Sequence, residues 1–130
     1  MERLVFKSDI KNINLVERLI DDLSDEYNLQ DDIYGKLLLS VVEAVNNAIV
    51  HGNKMDHDKD VVLQYSIDDT KIDFIITDKG DGFDFNNIPD PTKPENIEKT
   101  HGRGIFLMNH LADEIEFTNN GSIVKLSYDI

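Results

Sequence analysis

The sequence predicts an α/β sandwich of the α+β kind, with helices layered on one face of a mainly antiparallel, mixed sheet. Three observations carry this. A short N-terminal strand is followed by two stretches with apolar residues at helical spacing, two later pairs of alternating runs read as hairpins, and a long irregular loop separates those pairs. At 130 residues and 40% hydrophobic content the chain can build one packed core and is too short for two ordinary domains. A single domain over residues 1–130 is therefore expected.

Arg3 to Lys7 is a short apolar-rich stretch suited to a first strand. Ile13, Val16, Leu19, Ile20, Leu23 and Tyr27 then recur at helical spacing, and after a polar break at Asn28 to Asp32 the same spacing returns in Ile33, Leu37, Leu38, Val41, Val45, Ala48 and Ile49. Gly52 reads as the stop of this second helix. Val61, Leu63, Tyr65 and Ile67 alternate with polar or outward positions, as do Ile72, Phe74 and Ile76 beyond the Asp68-Asp69-Thr70 turn, giving a hairpin with one buried face. From Lys79 to His101 the pattern dissolves into glycines, asparagines and all three prolines, and a loop of that length inside a small domain reads as a lid or a disordered segment. Ile105 to Leu111 resumes as a short helix. Ile115 to Thr118 and Ile123 to Tyr128 form the last strands around Asn119-Asn120-Gly121, a hairpin signal.

Composition excludes several chemistries. The chain has no cysteine, which removes disulfides, thiolate zinc sites and cysteine nucleophiles. With 13 Lys and Arg against 26 Asp and Glu the formal charge is -13, which repels a phosphate backbone and argues against direct nucleic-acid binding. No run reaches the roughly 20 apolar residues of a membrane-spanning helix, and Met1 to Phe6 lacks the stretch of a signal peptide, so a cytoplasmic protein with no membrane partner is expected.

Three segments carry candidate chemistry. On the second helix Glu43 and Asn47 are four residues apart, rotated by only about 40°, so they project from one side, and Ser40 and His51 are assigned to that polar side too. Asp78 stands where the Ile72-Phe74-Ile76 strand runs out, followed by Lys79-Gly80-Asp81-Gly82, so a carboxylate at a strand end can accept from an exocyclic amino group beside permissive glycines. Gly102-Arg103-Gly104 opens the short helix, where free N–H groups and the positive helix end suit phosphates and Arg103 adds charge-assisted bonds. Read singly, these are also a solvated helix face, an Asp-rich turn and a glycine hinge.

Together, Glu43-Ala44-Val45-Asn46-Asn47-Ala48, Asp78-Lys79-Gly80-Asp81-Gly82 and Gly102-Arg103-Gly104 stand in the order and spacing of three nucleotide-binding boxes. The chain resembles the GHKL ATPases over about Ile33 to Tyr128. Within that superfamily, the first box closing in His51-Gly52 and the run His101-Gly102-Arg103-Gly104-Ile105-Phe106-Leu107-Met108 are similar to the anti-sigma-factor serine/threonine kinases.

The resemblance implies a GHKL (Bergerat) ATP-binding fold with a lid over about 79–101, and ATP and Mg2+ as cofactors. It implies Asn47 as metal ligand, Asn46 beside it near a phosphate, and Asp78 on the adenine amino group. Gly80, Gly82, Gly102 and Gly104 would let backbone approach the nucleotide, Arg103 would stabilise phosphate charge, and Ser122 would support the adenine site. Glu43 would be the general base, taking the proton of an attacking Ser or Thr hydroxyl on a partner; His51 reads as structural. The implied partners are an anti-anti-sigma-like protein, a sigma factor and a second copy of the chain. An ATP-gated binding module without phosphoryl transfer is the alternative, and a structural domain without nucleotide is a third reading.

Overall fold

The computed structural model describes residues 1–81 and 103–130, with the Arg103 side chain outside that description. The segment expected as a lid lies outside the described residues from 82 onward. The elements are β1 (Glu2–Lys7), α1 (Ile13–Tyr27), α2 (Asp31–Asn47), β2 (Asp60–Ile67), β3 (Lys71–Thr77), α3 (Arg103–Leu111), β4 (Glu114–Thr118) and β5 (Ile123–Asp129). The strands form one sheet in the order β1-β2-β3-β5-β4, and all four pairings are antiparallel. The expected layering holds, but the mixed component of the sheet is not realised among the described strands.

Local chemistry sets the boundaries. Asp9 accepts the Lys11 N–H at 3.0 Å and opens a short 3-10 turn that feeds α1. Asn28 ends α1 in the left-handed region at φ 52°, where an asparagine costs less than a branched residue, and returns its N–H to Ser24 O. Asp31 and Asp32 occupy the first turn of α2, the end of a helix that favours negative charge. Between β2 and β3, Asp68 accepts the Thr70 and Lys71 N–H groups and the Thr70 hydroxyl, which hold its carboxyl below the usual range. The β4–β5 turn places Asn119, Asn120 and Gly121 at φ 51°, 58° and 92°, a run of left-handed backbone suited to Asn and Gly.

Alternation along the strands sends one set of side chains toward the helices. Phe6, Val61, Leu63, Ile72, Phe74, Ile76, Val124, Leu126 and Tyr128 are buried there against Val16, Ile20 and Leu23 of α1 and Leu37, Val41, Val45 and Ile49 at and beyond α2. The opposite face runs in cross-strand rows such as Arg3, Gln64, Ile75, Lys125 and Glu116, which is the expected polar face. From Asp31 to Gly52 the helical segment is long and apolar enough, by length and composition, to cross a bilayer. Its apolar arc is instead consumed by this core.

Two assignments from helical spacing change. Tyr27 ends the α1 arc but is 46% exposed, because the helix stops there and the side chain passes the edge of the core. Ser40 is fully buried rather than on the polar side of α2; it lies one turn before Ala44, on the arc that meets the sheet. Its hydroxyl donates to Lys36 O and pairs with the hydroxyl of Tyr128. Since Ser40 has one proton and Lys36 O can only accept, Tyr128 is the donor of the pair. Burial pushes the Tyr128 hydroxyl well above the ordinary phenol range, so it remains protonated.

Replacing Tyr128→Phe keeps the ring and deletes that donor. The expected loss is about 1 kcal/mol, seen as a lower urea midpoint at unchanged slope. An unaltered midpoint would mean the buried pair contributes nothing net.

Candidate functional site

The expected site residues assemble around the exposed side of α2 and its C-terminal turn. Glu43, Asn46 and Asn47 are half-buried on one arc, between the buried positions Ala44, Val45 and Ala48. The helix then widens: Ala48 to Gly52 form a π turn in which Asn53 N–H reaches Ala48 O at 2.8 Å. Single π turns recur where a helix must redirect its end for function. Here the turn carries Gly52 over the end of β3.

That approach is close. A β-carbon at Gly52 would fall within 3.0 Å of Cγ and both carboxylate oxygens of Asp78, and one at Gly80 would fall within 3.0 Å of the Gly52 carbonyl. Neither position tolerates a side chain without moving backbone or the carboxylate. Asp78 is further fixed by its own N–H, which donates to Ser122 O at 2.9 Å, and by Oδ1, which accepts Gly80 N–H at 2.7 Å. Burial raises its carboxyl above the ordinary value of 3.8, opposed by the Gly80 hydrogen bond and the charge of Lys59.

The other end of the α2 face meets α3. A β-carbon at Gly104 would stand 3.0 Å from Glu43 Oε2, so the first turn of α3 packs directly over the Glu43 carboxylate. Nine residues separate Glu43 from Gly52, so the two close approaches lie roughly 13 Å apart along one helix. The structure therefore gathers Glu43, Asn46, Asn47, Asp78, Gly80 and Gly104 along α2. Gly82 and Gly102 lie outside the described residues, and for Arg103 the description reaches the backbone alone.

Ser122 is buried at the same sheet end, but its hydroxyl is taken up within the turn: it donates to Asn119 O and accepts from Asn119 Nδ2. What it offers Asp78 is its carbonyl. His51 is exposed on the π turn. The side-chain oxygen of Asn47 suits a Mg2+ ion, which binds few protein oxygens and keeps water or phosphate in its other positions, and the Glu43 carboxylate stands one helical turn away. Two neighbours escaped the sequence reading as site residues. Gly52 was legible as a helix stop and as the close of the first box, without its contact to Asp78, and Asn53 carried no signal, since a lone Asn after a helix reads as a turn residue.

The sequence pattern of the family described as "Histidine kinase-like ATPase domain" matches residues 6–128. The chain belongs to this family. Its curated relatives include the serine-protein kinase RsbW of Bacillus subtilis, 24% identical over 117 residues, covering 85% of this chain and 73% of that protein. RsbW of Staphylococcus aureus is 36% identical over 84 residues, 59% of this chain and 53% of that protein. A crystal structure of the RsbU and RsbW domains of Rv1364c from Mycobacterium tuberculosis shares the fold, with a TM-score of 0.65 at 14% identity, covering 99% of this chain and 32% of that one. The chain thus spans from a third to three quarters of the lengths it matches.

Because the folded-state Asp78 carboxyl lies above the unfolded value, its ionisation weighs against the fold. That penalty is absent below pH 3.8, grows as pH rises from there through the folded-state value, and is constant at neutral pH. Asp78→Asn keeps the acceptor for Gly80 N–H and removes the charge. The variant is expected to melt higher than the parent at pH 7, with the difference vanishing near pH ~3. A variant less stable at pH 7 would show that the carboxylate supports the fold.

Proposed function

We propose that this chain binds ATP with Mg2+ and transfers the γ-phosphate to a Ser or Thr of a partner protein. The observation that carries the proposal is the pair of close approaches along α2. A half-buried carboxylate whose Oδ2 has no hydrogen-bond partner among the described residues stands at one end, a helix N-terminus over Glu43 at the other, and the span between suits a nucleoside triphosphate. In this reading Asp78 Oδ2 accepts the adenine amino group, as Oδ1 is engaged by Gly80. Gly52 and Gly80 let the two backbone segments and the Asp78 carboxylate pack in contact at the adenine end. The first N–H groups of α3, with Gly102, Arg103 and Gly104, receive the phosphates. Asn46 and Asn47 face the same space, Asn47 holding Mg2+, which supplies charge neutralisation on the phosphates. Gly82 and Ser122 complete the adenine side, Ser122 through its hold on Asp78.

Glu43 is the proposed general base, taking the proton from the partner's hydroxyl as that oxygen attacks. The kinase reading gains support from the serine-protein kinase relatives. By the same likeness the phosphorylated partner is an anti-anti-sigma-like protein and the sequestered client a sigma factor, with the chain acting in the cytoplasm as a homodimer.

Calorimetry with Mg-ATP on the whole chain is the direct test. Asp78→Asn and Asn47→Ala are each expected to weaken binding at least about tenfold, the scale of a lost charge-assisted contact, and unchanged affinity in both would refute the site. Glu43→Ala is expected to retain binding and lose transfer of labelled phosphate to the partner by about 100-fold or more. Binding by the parent chain with no transfer to the cognate partner would leave an ATP-gated binding module.

A further inference from the structure

The backbone just past β3 presents three consecutive N–H groups at Asp78, Lys79 and Gly80, where strand pairing has ended at Thr77. Each still finds an acceptor, and each from a different source. Asp78 N–H goes to Ser122 O, Gly80 N–H to Asp78 Oδ1, and Lys79 N–H to Asn53 Oδ1 at 2.7 Å. Asn53 is fully buried. A buried amide is costly unless every polar atom is used, and here they are: Nδ2 donates to Ser8 Oγ at 2.7 Å and to Asp60 O at 3.1 Å. Ser8, also fully buried, passes its own proton to Lys59 O at 2.6 Å. A donor at Lys79 on one side and a carbonyl at Asp60 on the other fix which way the amide faces.

We propose that Asn53 is a positioning residue for the base-recognition end of the site. It follows Gly52 directly and holds the amide that follows Asp78. One side chain therefore locks both walls of the close approach: the π turn that carries Gly52 and the loop that carries the Asp78 carboxylate. Its donors anchor that lock to the end of β1 and the start of β2, so the loop's place is set by the sheet rather than by the loop itself. No other described side chain takes the Lys79 N–H; Lys79 itself is exposed, so this amide, once released by Asn53, would turn to water and carry the loop with it. Asn53 touches neither substrate nor metal in this scheme; it acts through Asp78 and Gly80. The inference rests on the ATP-binding reading above.

The test compares Asn53→Ala with the parent full-length chain by calorimetry against Mg-ATP and against Mg-tripolyphosphate, a probe without a base. Hydrogen exchange at the Lys79 amide is followed alongside. Asn53→Ala is expected to weaken ATP about tenfold, to leave tripolyphosphate within about twofold, and to speed Lys79 exchange. Equal weakening of both probes marks a general structural effect and overturns the proposal, as does unchanged ATP affinity in the folded variant. Should Asn53→Ala fail to fold, Ser8→Ala decides: it removes one brace and keeps the Asn53–Lys79 bond, and about a threefold loss confined to ATP is expected. No base-selective change there overturns the proposal. If the parent binds neither probe, the ATP reading fails, while faster Lys79 exchange in the variants still reports the latch.

Discussion

The last turn of α2 must lie against the end of β3 with no side chain between them, and much of the molecule serves that contact. A carboxylate at Asp78 can face a ligand in a fixed direction only if something rigid backs it. Gly52 supplies backbone for that purpose, and Gly80 lets the following turn close over the Gly52 carbonyl. An ordinary α-helical turn would direct the chain elsewhere; the π turn at Ala48–Gly52 brings it into register. Lys54 and Met55 then adopt φ 53° and 61°, left-handed backbone unfavourable for both, as the chain turns back toward β2. Strain of that kind persists where neighbouring packing overdetermines it, and here Met55 N–H is held by Ile49 O and Asn53 by the sheet.

Polar accounting at this corner explains why it is built from buried oxygen and nitrogen rather than from more core. Strand pairing ends at Thr77, so the three N–H groups that follow need acceptors from outside the ladder. Ser122 O, Asn53 and Asp78 itself resolve them one by one. The arrangement spends stability on a carboxylate held in poor solvation. Such an expense makes sense at a recognition site and nowhere in a structural core, where an amide or an apolar residue would serve better.

Much of this was legible in the sequence because helices and strands advertise themselves by period. The arc Leu37, Val41, Val45, Ala48 and Ile49 was read directly, and so were both hairpins, since β-branched and aromatic residues alternate there without interruption. Glu43, Asn47 and Asp78 were legible through the spacing of their boxes. Ser40 misled, for a hydroxyl on a helix reads as polar until its long-range partner Tyr128 is known. Asn53 was opaque for the same reason at greater depth, and Gly52 was legible as the close of a box but not for what it packs against. Their partners lie 26 residues away in each case, Asp78 for Gly52 and Lys79 for Asn53, and no local pattern reports such a contact.

The charge of -13 raises the question of how an anion could settle here at all. Placement answers it. Asp21, Asp22, Asp25 and Glu26 crowd the C-terminal half of α1, and the hydrogen bond from Tyr34 to Asp21 shows that this half lies beside the first turns of α2, where Asp31 and Asp32 add two more charges. Asn47 stands at the far end of that helix, roughly 24 Å from Asp31. That is about three screening lengths at physiological salt, so the largest block of acid barely reaches the site. Around Asp78 the charges alternate instead, with Lys54, Lys59 and Lys79 interleaved among Asp56, Asp58 and Asp81. In the proposed reading, phosphate recognition falls to dipoles at short range, the first N–H groups of α3, whose effect decays within a turn and needs no support from the net charge. An acidic surface is compatible with the proposed anion site because one is averaged by solvent and the other is read at contact distance.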